Sequence, residues 1–223
     1  MAGHGSTLRG LSSSPHTGPE PDRDDNPRGD NNPEGGDADR RESDGDRGPA
    51  AQFVARFDDA VDGLFTGLRG SPTADRIFYL ASEGADYSRA WHAIGLVMAL
   101  VSPSRRPDAV RLAIALGVES AIVNGVLKNV VPRERPPLLD DRAYDVRRPK
   151  TKSFPSGHAS SATMTAVLLS DALPKLKPVW WGLAAVVSAS RVHNRMHHGS
   201  DVAAGAIIGT AMGVLTKRIR PLR

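Results

Sequence analysis

Ser190-Arg191-Val192-His193-Asn194-Arg195-Met196-His197-His198-Gly199-Ser200-Asp201 lies between two uncharged apolar segments, Val179 to Ala189 and Val202 to Leu215. Fixed cations, three imidazoles and a carboxylate thus sit at the junction of two elements whose composition calls for burial. Reactive polar groups in such a place are costly unless they are paired or used. The flanking segments are rich in Ala, Gly and Ser, which suits helices packed closely against one another. The same character recurs upstream. Ala90 to Ser104 and Ala159 to Ser170 are uncharged, and Leu112 to Val131 is mostly apolar but includes Glu119 and Lys128. The expected fold is all-α, a small helical bundle of about five or six helices.

The uncharged runs starting at Ala90, Ala159, Val179 and Val202 count 15, 12, 12 and 15 residues. A membrane span needs ~20 apolar residues. Polar helix ends beside a site shorten the visible run, and an integral membrane bundle is expected rather than a soluble one. Residues 1–50 are different. They hold six Arg and no Lys against eleven Asp and Glu, a net of −5, whereas the remainder carries +9. With almost no large apolar side chains, this stretch cannot bury enough surface to offset chain entropy, so it is read as a disordered acidic tail. No apolar run follows Met1, so no cleavable secretory signal is expected. The domain then occupies residues 51–223. Its first helix carries Phe53, Phe57, Val61, Leu64, Phe65 and Leu68 at helical spacing, either to lie on a membrane surface or to pack on the rest of the domain.

A basic body suits nucleic acid, anionic lipid or a phosphorylated substrate. Few aromatics and no nucleic-acid-binding signature argue against the first. The chain has no cysteine, which excludes disulfides and thiolate chemistry but leaves the compartment open.

Alternating helices bring two further stretches to the side of 190–201: Lys128 to Pro136, and Pro155-Ser156-Gly157-His158. Lys128, Arg135 and Arg191 together suit a group with several negative oxygens, because guanidinium forks match phosphate geometry. Ser156 and Gly157, leading into a helix, add backbone N–H groups and a favourable dipole end for an anion. His197 and Asp201 are four apart and share a face on a helical turn. A carboxylate on one ring nitrogen leaves the other free to attack phosphorus, giving a phosphohistidine. His158 would protonate the leaving alkoxide and then activate water. This chemistry requires no metal or other cofactor.

Lys128-x6-Arg135-Pro136, Pro155-Ser156-Gly157-His158 and Ser190-Arg191-x5-His197-x3-Asp201 resemble, in order and spacing, the three-part signature of the type-2 phosphatidic acid phosphatase superfamily. The resemblance covers residues 85–218. It implies that Lys128, Arg135, Ser156, Gly157 and Arg191 bind phosphate, and that His158, His197 and Asp201 are acid/base, nucleophile and orienting carboxylate. It also implies a membrane helical bundle acting on a lipid phosphate monoester or pyrophosphate, polyprenyl or glycerolipid. The same residue types hold vanadate in the haloperoxidases of that superfamily, and a lipid-phosphate binding protein without turnover is a third reading.

Other residues have simpler readings. His193, His197, His198 and Asp201 could ligate zinc, but three cations would repel it; His193 and His198 are read as polar rim residues. His92 is read as a structural histidine, and Glu119 as a structural hydrogen-bonding group or a partner for a cation. Trp180 and Trp181 suit either an interface or the core. The loops away from the site carry Arg105, Arg106, Lys175 and Lys177, opposed only by Asp108. The positive-inside tendency then places a multi-pass protein in the cell membrane with its site outside the cytoplasm. An acidic tail without a signal should stay inside, so both conditions hold only if residues 51–88 also contain a crossing.

Overall fold

The computed structural model describes residues 48–139, 144–149 and 151–219. The acidic tail, expected over 1–50, therefore lies almost wholly outside the described residues. Among those described there is no strand, and the all-α expectation holds. Helix α1 spans Pro49–Thr66, with Pro49 in its first turn, where the missing N–H costs nothing. A bundle of six follows. Helix α2 is Pro72–Ala85 and α3 is Arg89–Val101. Helix α4 is one continuous run, α-helical over Arg106–Ser120, π-helical over Ala121–Leu127 and α-helical again over Lys128–Val130. Helices α5, α6 and α7 are Gly157–Ala172, Lys177–His193 and Gly199–Arg218.

Helix α5 is the centre. Nearly all of it is buried, from Ala159 to Leu169 without a break, which is why it shows no apolar stripe in the sequence. It packs on α4, α6 and, most extensively, α7. The α5–α7 contact runs along Gly205, Gly209 and Gly213, where an added Cβ would strike the Ser156 carbonyl oxygen, the Ser160 carbonyl oxygen and the Val167 side chain respectively. Thr163 Oγ1 donates across this seam to the Ala206 carbonyl at 3.1 Å. The small residues of these segments thus let two backbones touch, as expected from composition.

The outside of the bundle is apolar. Val110, Ile114, Val118, Ile122, Val126 and Val130 are all exposed along one side of α4. Twenty residues at ~1.5 Å each make this stripe ~30 Å long, the thickness of a bilayer core. Two helical stretches, Pro103–Val130 and Gly199–Arg218, are long and apolar enough to cross a membrane. Only 28% of each span's most apolar window is buried inside the protein, so these are not core helices of a water-soluble fold. Hydropathy counted along the sequence understates α4 because Glu119 and Lys128 interrupt it, yet both are buried and face inward. Trp180 is buried and Trp181 half-exposed, so core packing accounts for the first alone.

Helix α1 is amphipathic, but its polar side faces the protein. Asp58 is buried, while Phe53 and Leu64 are 72% and 74% exposed. Asp62 pairs with Arg69 and, at 2.9 Å, with Arg195. Arg69 donates to the last carbonyls of α6, Val192 and His193, at 3.1 Å each. This helix therefore packs on the rest of the domain by one face and leaves an apolar face exposed. Asp75 and Ser82 tie α2 to His193 and Arg191 near the C-terminal end of α6, so α1 and α2 both lie at one end of the bundle, and no helix within 51–88 is long and apolar enough to cross a membrane. At the other end, Asp171 pairs with Arg111 and Lys217, both at 3.2 Å. Asp108 is therefore not the only carboxylate opposing that basic end.

Candidate active site

The end of α4, the start of α5, the end of α6 and the start of α7 meet at the same side of the bundle. Between them lies a cavity of about 440 Å³ lined by Lys128, Arg135, Gly157, His158, Arg191 and His197. Six of the eight residues singled out by spacing thus line one wall. The other two, Ser156 and Asp201, are fully buried just behind it. Ser156 caps α5, its Oγ accepting from the Ala159 N–H, and its own N–H donates to the Asp201 carbonyl at 3.0 Å.

Each cation is fixed from outside the motif. Arg191 is 1% exposed and donates to Ser82 Oγ of α2. Arg135 donates to the carbonyls of Thr151, Lys152 and Met196. Burial lowers the Arg135 pKa, as does the neighbouring Arg148; a site that concentrates positive charge in this way is favourable for an anion. Lys128 Nζ lies 3.5 Å from Thr151 Oγ1. Lys128 and Glu119 are nine residues apart, so at ~100° per residue an α-helix would set them on opposite faces. The π-helical stretch between them winds less per residue, and both reach the cavity.

His197 precedes α7 rather than lying on it, because α7 begins at Gly199 with His198 as its N-cap. The shared helical face expected for His197 and Asp201 is therefore not how they meet. Asp201 is the third residue of α7, and its Oδ2 accepts the His198 N–H at 2.9 Å in a capping box. That oxygen is 3.7 Å from His197 Nδ1. Ser153 stands between them, its Oγ 2.5 Å from Asp201 Oδ2 and 3.4 Å from His197 Nδ1. On the other side of the ring, Nε2 is 3.2 Å from Arg135 Nη1. A guanidinium can only donate. The lone pair is therefore on Nε2, facing the cations, and the proton is on Nδ1, facing Ser153 and Asp201. Burial holds the His197 imidazole well below its ordinary value of 6.5, outweighing the Asp201 interaction that raises it, with Arg191 and Arg135 lowering it further.

His158 Nε2 is 2.8 Å from Asp86 Oδ1. The hydrogen bond to His158 is the main reason that the Asp86 pKa is lowered. Asp86 precedes Tyr87 and Ser88, two consecutive non-glycine residues with positive φ, 53° and 56°, backbone that costs of order 1–3 kcal/mol per residue and concentrates at functional sites.

A model of the PAP2 superfamily matches residues 108–223. The chain belongs to the PAP2 superfamily. It is 33% identical over 166 residues to a decaprenylphosphoryl-5-phosphoribose phosphatase of Mycolicibacterium smegmatis, covering 73% of this chain and 84% of that protein. It is 30% identical over 177 residues to the protein of the same name from Mycobacterium tuberculosis, covering 78% and 91%. The structure resembles the transmembrane PAP2 type phosphatidylglycerolphosphate phosphatase from Bacillus subtilis, with a TM-score of 0.58 and 24% identity over 79% of this chain and 91% of that one. It also resembles Aquifex aeolicus LpxE, with a TM-score of 0.54 and 24% identity over 70% and 93%. These structural likenesses show the shared PAP2 fold.

Spacing did not single out Ser153, Asp86, Ser82 or Arg133. Arg133, two residues before Arg135, was within a stretch quoted, and Ser153 lies just outside one, two residues before Pro155; Asp86 and Ser82 reach the site only through tertiary contact. His193 is buried rather than at the rim, bonded to Asp75 at 2.8 Å and packed on the Phe78 ring at 4.5 Å. It is turned away from His197, and among the described residues no group of three His, Asp or Glu converges on a metal position. His92, read as structural, is instead exposed at the cavity mouth, since α3 starts only three residues before it.

Proposed function

We propose that the chain hydrolyses a phosphate monoester or pyrophosphate carried by a lipid, through a phosphohistidine on His197. The observation that carries this reading is the His197 Nε2 lone pair, directed at Arg135 in a cavity that Lys128 and Arg191 also line. Lys128, Arg135 and Arg191 hold the phosphoryl oxygens, with the Gly157 N–H at the start of α5. The Nε2 lone pair attacks phosphorus, and the bond to the lipid alkoxide breaks. His158 gives that oxygen its proton. Asp201, directly and through Ser153, balances the charge gained by the ring, whose Nδ1 keeps its proton. In the second half His158 takes a proton from water, the water oxygen bonds to phosphorus, and the N–P bond breaks to release phosphate. Asp86 orients the His158 ring by holding one nitrogen.

The names of the relatives favour a polyprenyl-linked sugar phosphate as the first substrate to try. Phosphate release by the full chain in detergent, with EDTA present, tests this. The panel is a polyprenylphosphoryl sugar phosphate, a polyprenyl phosphate, a polyprenyl pyrophosphate, phosphatidic acid and phosphatidylglycerophosphate. Release from none of them sinks the reading.

The state of His197 predicts the acid limb of the pH profile. The ring attacks only when neutral. A lowered value keeps it neutral to lower pH, so kcat/KM falls on the acid side well below the 6.5 of an ordinary histidine. An acid limb centred at 6.5 that disappears in His197 variants would contradict this.

We also read the protein as multi-pass, with α3 to α7 crossing and the site facing outside. Arg105, Arg106, Lys175 and Lys177 then lie inside. A single cysteine at Ser104, in a chain with none of its own, is expected to react with an impermeant maleimide only after cells are permeabilised. Labelling of intact cells would reverse the orientation.

A further inference from the structure

We propose that Arg133 and Asp58 are positioning residues for the Asp201 carboxylate, so that α1 completes the catalytic centre. The proposal rests on the phosphatase reading above. Asp201 is 0% exposed, and a buried carboxylate must have its lone pairs taken or its charge matched. Oδ2 serves Ser153, the His198 N–H and the His197 ring. Oδ1 receives Arg133 Nη1 at 2.7 Å. The same Nη1 is 2.6 Å from Ser200 Oγ, and Nη2 pairs with Asp58 Oδ2. Asp58 closes the ring of contacts by accepting the Ser200 N–H at 2.7 Å. The backbone takes part as well, since the Arg133 carbonyl accepts the Ser153 N–H at 2.9 Å.

Charge explains why two carboxylates share one guanidinium. Paired with Asp201 alone, Arg133 would neutralise it and leave nothing to balance the imidazolium formed when His197 Nε2 bonds to phosphorus. Asp58 takes part of that positive charge. Asp201 is then held in one rotamer and keeps enough negative charge to act on His197. Close packing makes the position of Asp58 fixed rather than incidental. Gly199 lies so near α1 that a Cβ there would come within 2.7 Å of the Val61 Cβ. Asp58 lies outside the residues matched by the family model, so the placement comes from this chain's own α1.

The test is a mutant cycle on the full chain, assayed for phosphate release beside wild type and His197→Ala. A silent wild type would signal failure of the phosphatase reading; the positioning proposal is judged against an active wild type. Arg133→Gln keeps the backbone bond to Ser153 and is expected to lower kcat roughly 10–100-fold, the loss typical of removing a partner that orients a functional side chain. KM should stay within about twofold, because ground-state binding is untouched. Asp58→Asn should lower kcat in the same sense but less. In an Asp201→Asn background the further change Arg133→Gln should cost under about threefold, since the group it acts through is gone. Equal losses in both backgrounds, or an unchanged kcat with only a lower melting temperature, would overturn the proposal. If Arg133→Gln does not fold, Arg133→Lys and Asp58→Asn decide: a lower kcat at unchanged KM supports it, and an unchanged kcat refutes it.

Discussion

Replacing His197 with alanine reduces phosphate release by roughly 10⁴-fold or more, the scale of loss when the nucleophile or base of a hydrolase is removed. The expectation follows from where the ring nitrogens point. Nε2 faces Arg135 at 3.2 Å and Nδ1 faces Ser153 and Asp201, so Nε2 is the ring nitrogen whose lone pair meets the cations. Substrate affinity should survive, because Lys128, Arg135 and Arg191 remain. The variant therefore separates turnover from binding: it holds the lipid phosphate and does not cleave it. Rapid quenching of wild type with labelled substrate should trap a phosphoryl group that acid removes and alkali does not, as expected of a phosphoramidate. His158→Ala should lose less, roughly 10²–10⁴-fold, as for a general acid, and the loss should shrink for a leaving group that needs no proton. Full turnover by His197→Ala would end the covalent mechanism and favour direct attack by water.

The residues proposed to react were legible because three local spacings carry them, each short enough for chain geometry alone to fix. The residues that hold them were not. Asp86 meets His158 across 72 positions and Arg133 meets Asp58 across 75. No periodicity encodes a contact between one helix and another thirty or more positions away. His197 and Asp201 were expected to share a helical face, but the helix starts two residues too late; they meet at its N-terminus, 3.7 Å apart, with Ser153 beside both. Helix α1 illustrates a different limit. Phe53, Phe57, Leu64 and Leu68 at helical spacing define a face but not what it meets. In water such a face turns to the core. Here Asp58 and Asp62 turn inward together with Val61 and Phe65, while Phe53, Phe57, Leu64 and Leu68 are exposed. The length of α4 was hidden for a related reason. Glu119 and Lys128 break the hydropathy of the segment, yet a spanning helix accommodates charge on a side that faces a polar cavity.

Gly209→Leu is expected to prevent accumulation of folded protein, and Gly209→Ala to destabilise it by about 3 kcal/mol or more, the upper range of overpacking. An ideal Cβ at Gly209 would lie 2.0 Å from the Ser160 carbonyl oxygen and 2.5 Å from Thr163 Oγ1. The first of these is helical backbone, so no rotamer change relieves the clash and α5 and α7 must separate. Separation also breaks the bond from Thr163 Oγ1 to the Ala206 carbonyl. Helix association in lipid depends on such close approach because the surrounding tails are as apolar as the side chains. Gly182→Ala is the control: nothing lies within 4 Å of a Cβ there, and the better helix propensity of alanine should give a gain of up to about 1 kcal/mol. Thermal unfolding in detergent checks both. An unchanged midpoint for Gly209→Ala would mean that the α5–α7 seam is looser than described. The seam matters beyond stability, since one turn along it an added Cβ at Gly205 would lie 2.3 Å from the Ser156 carbonyl oxygen. Ser156 donates its N–H to the Asp201 carbonyl at 3.0 Å. Gly205→Ala should therefore lower kcat by more than its loss of stability alone would explain, because it drives apart the segments that carry His158 and Asp201.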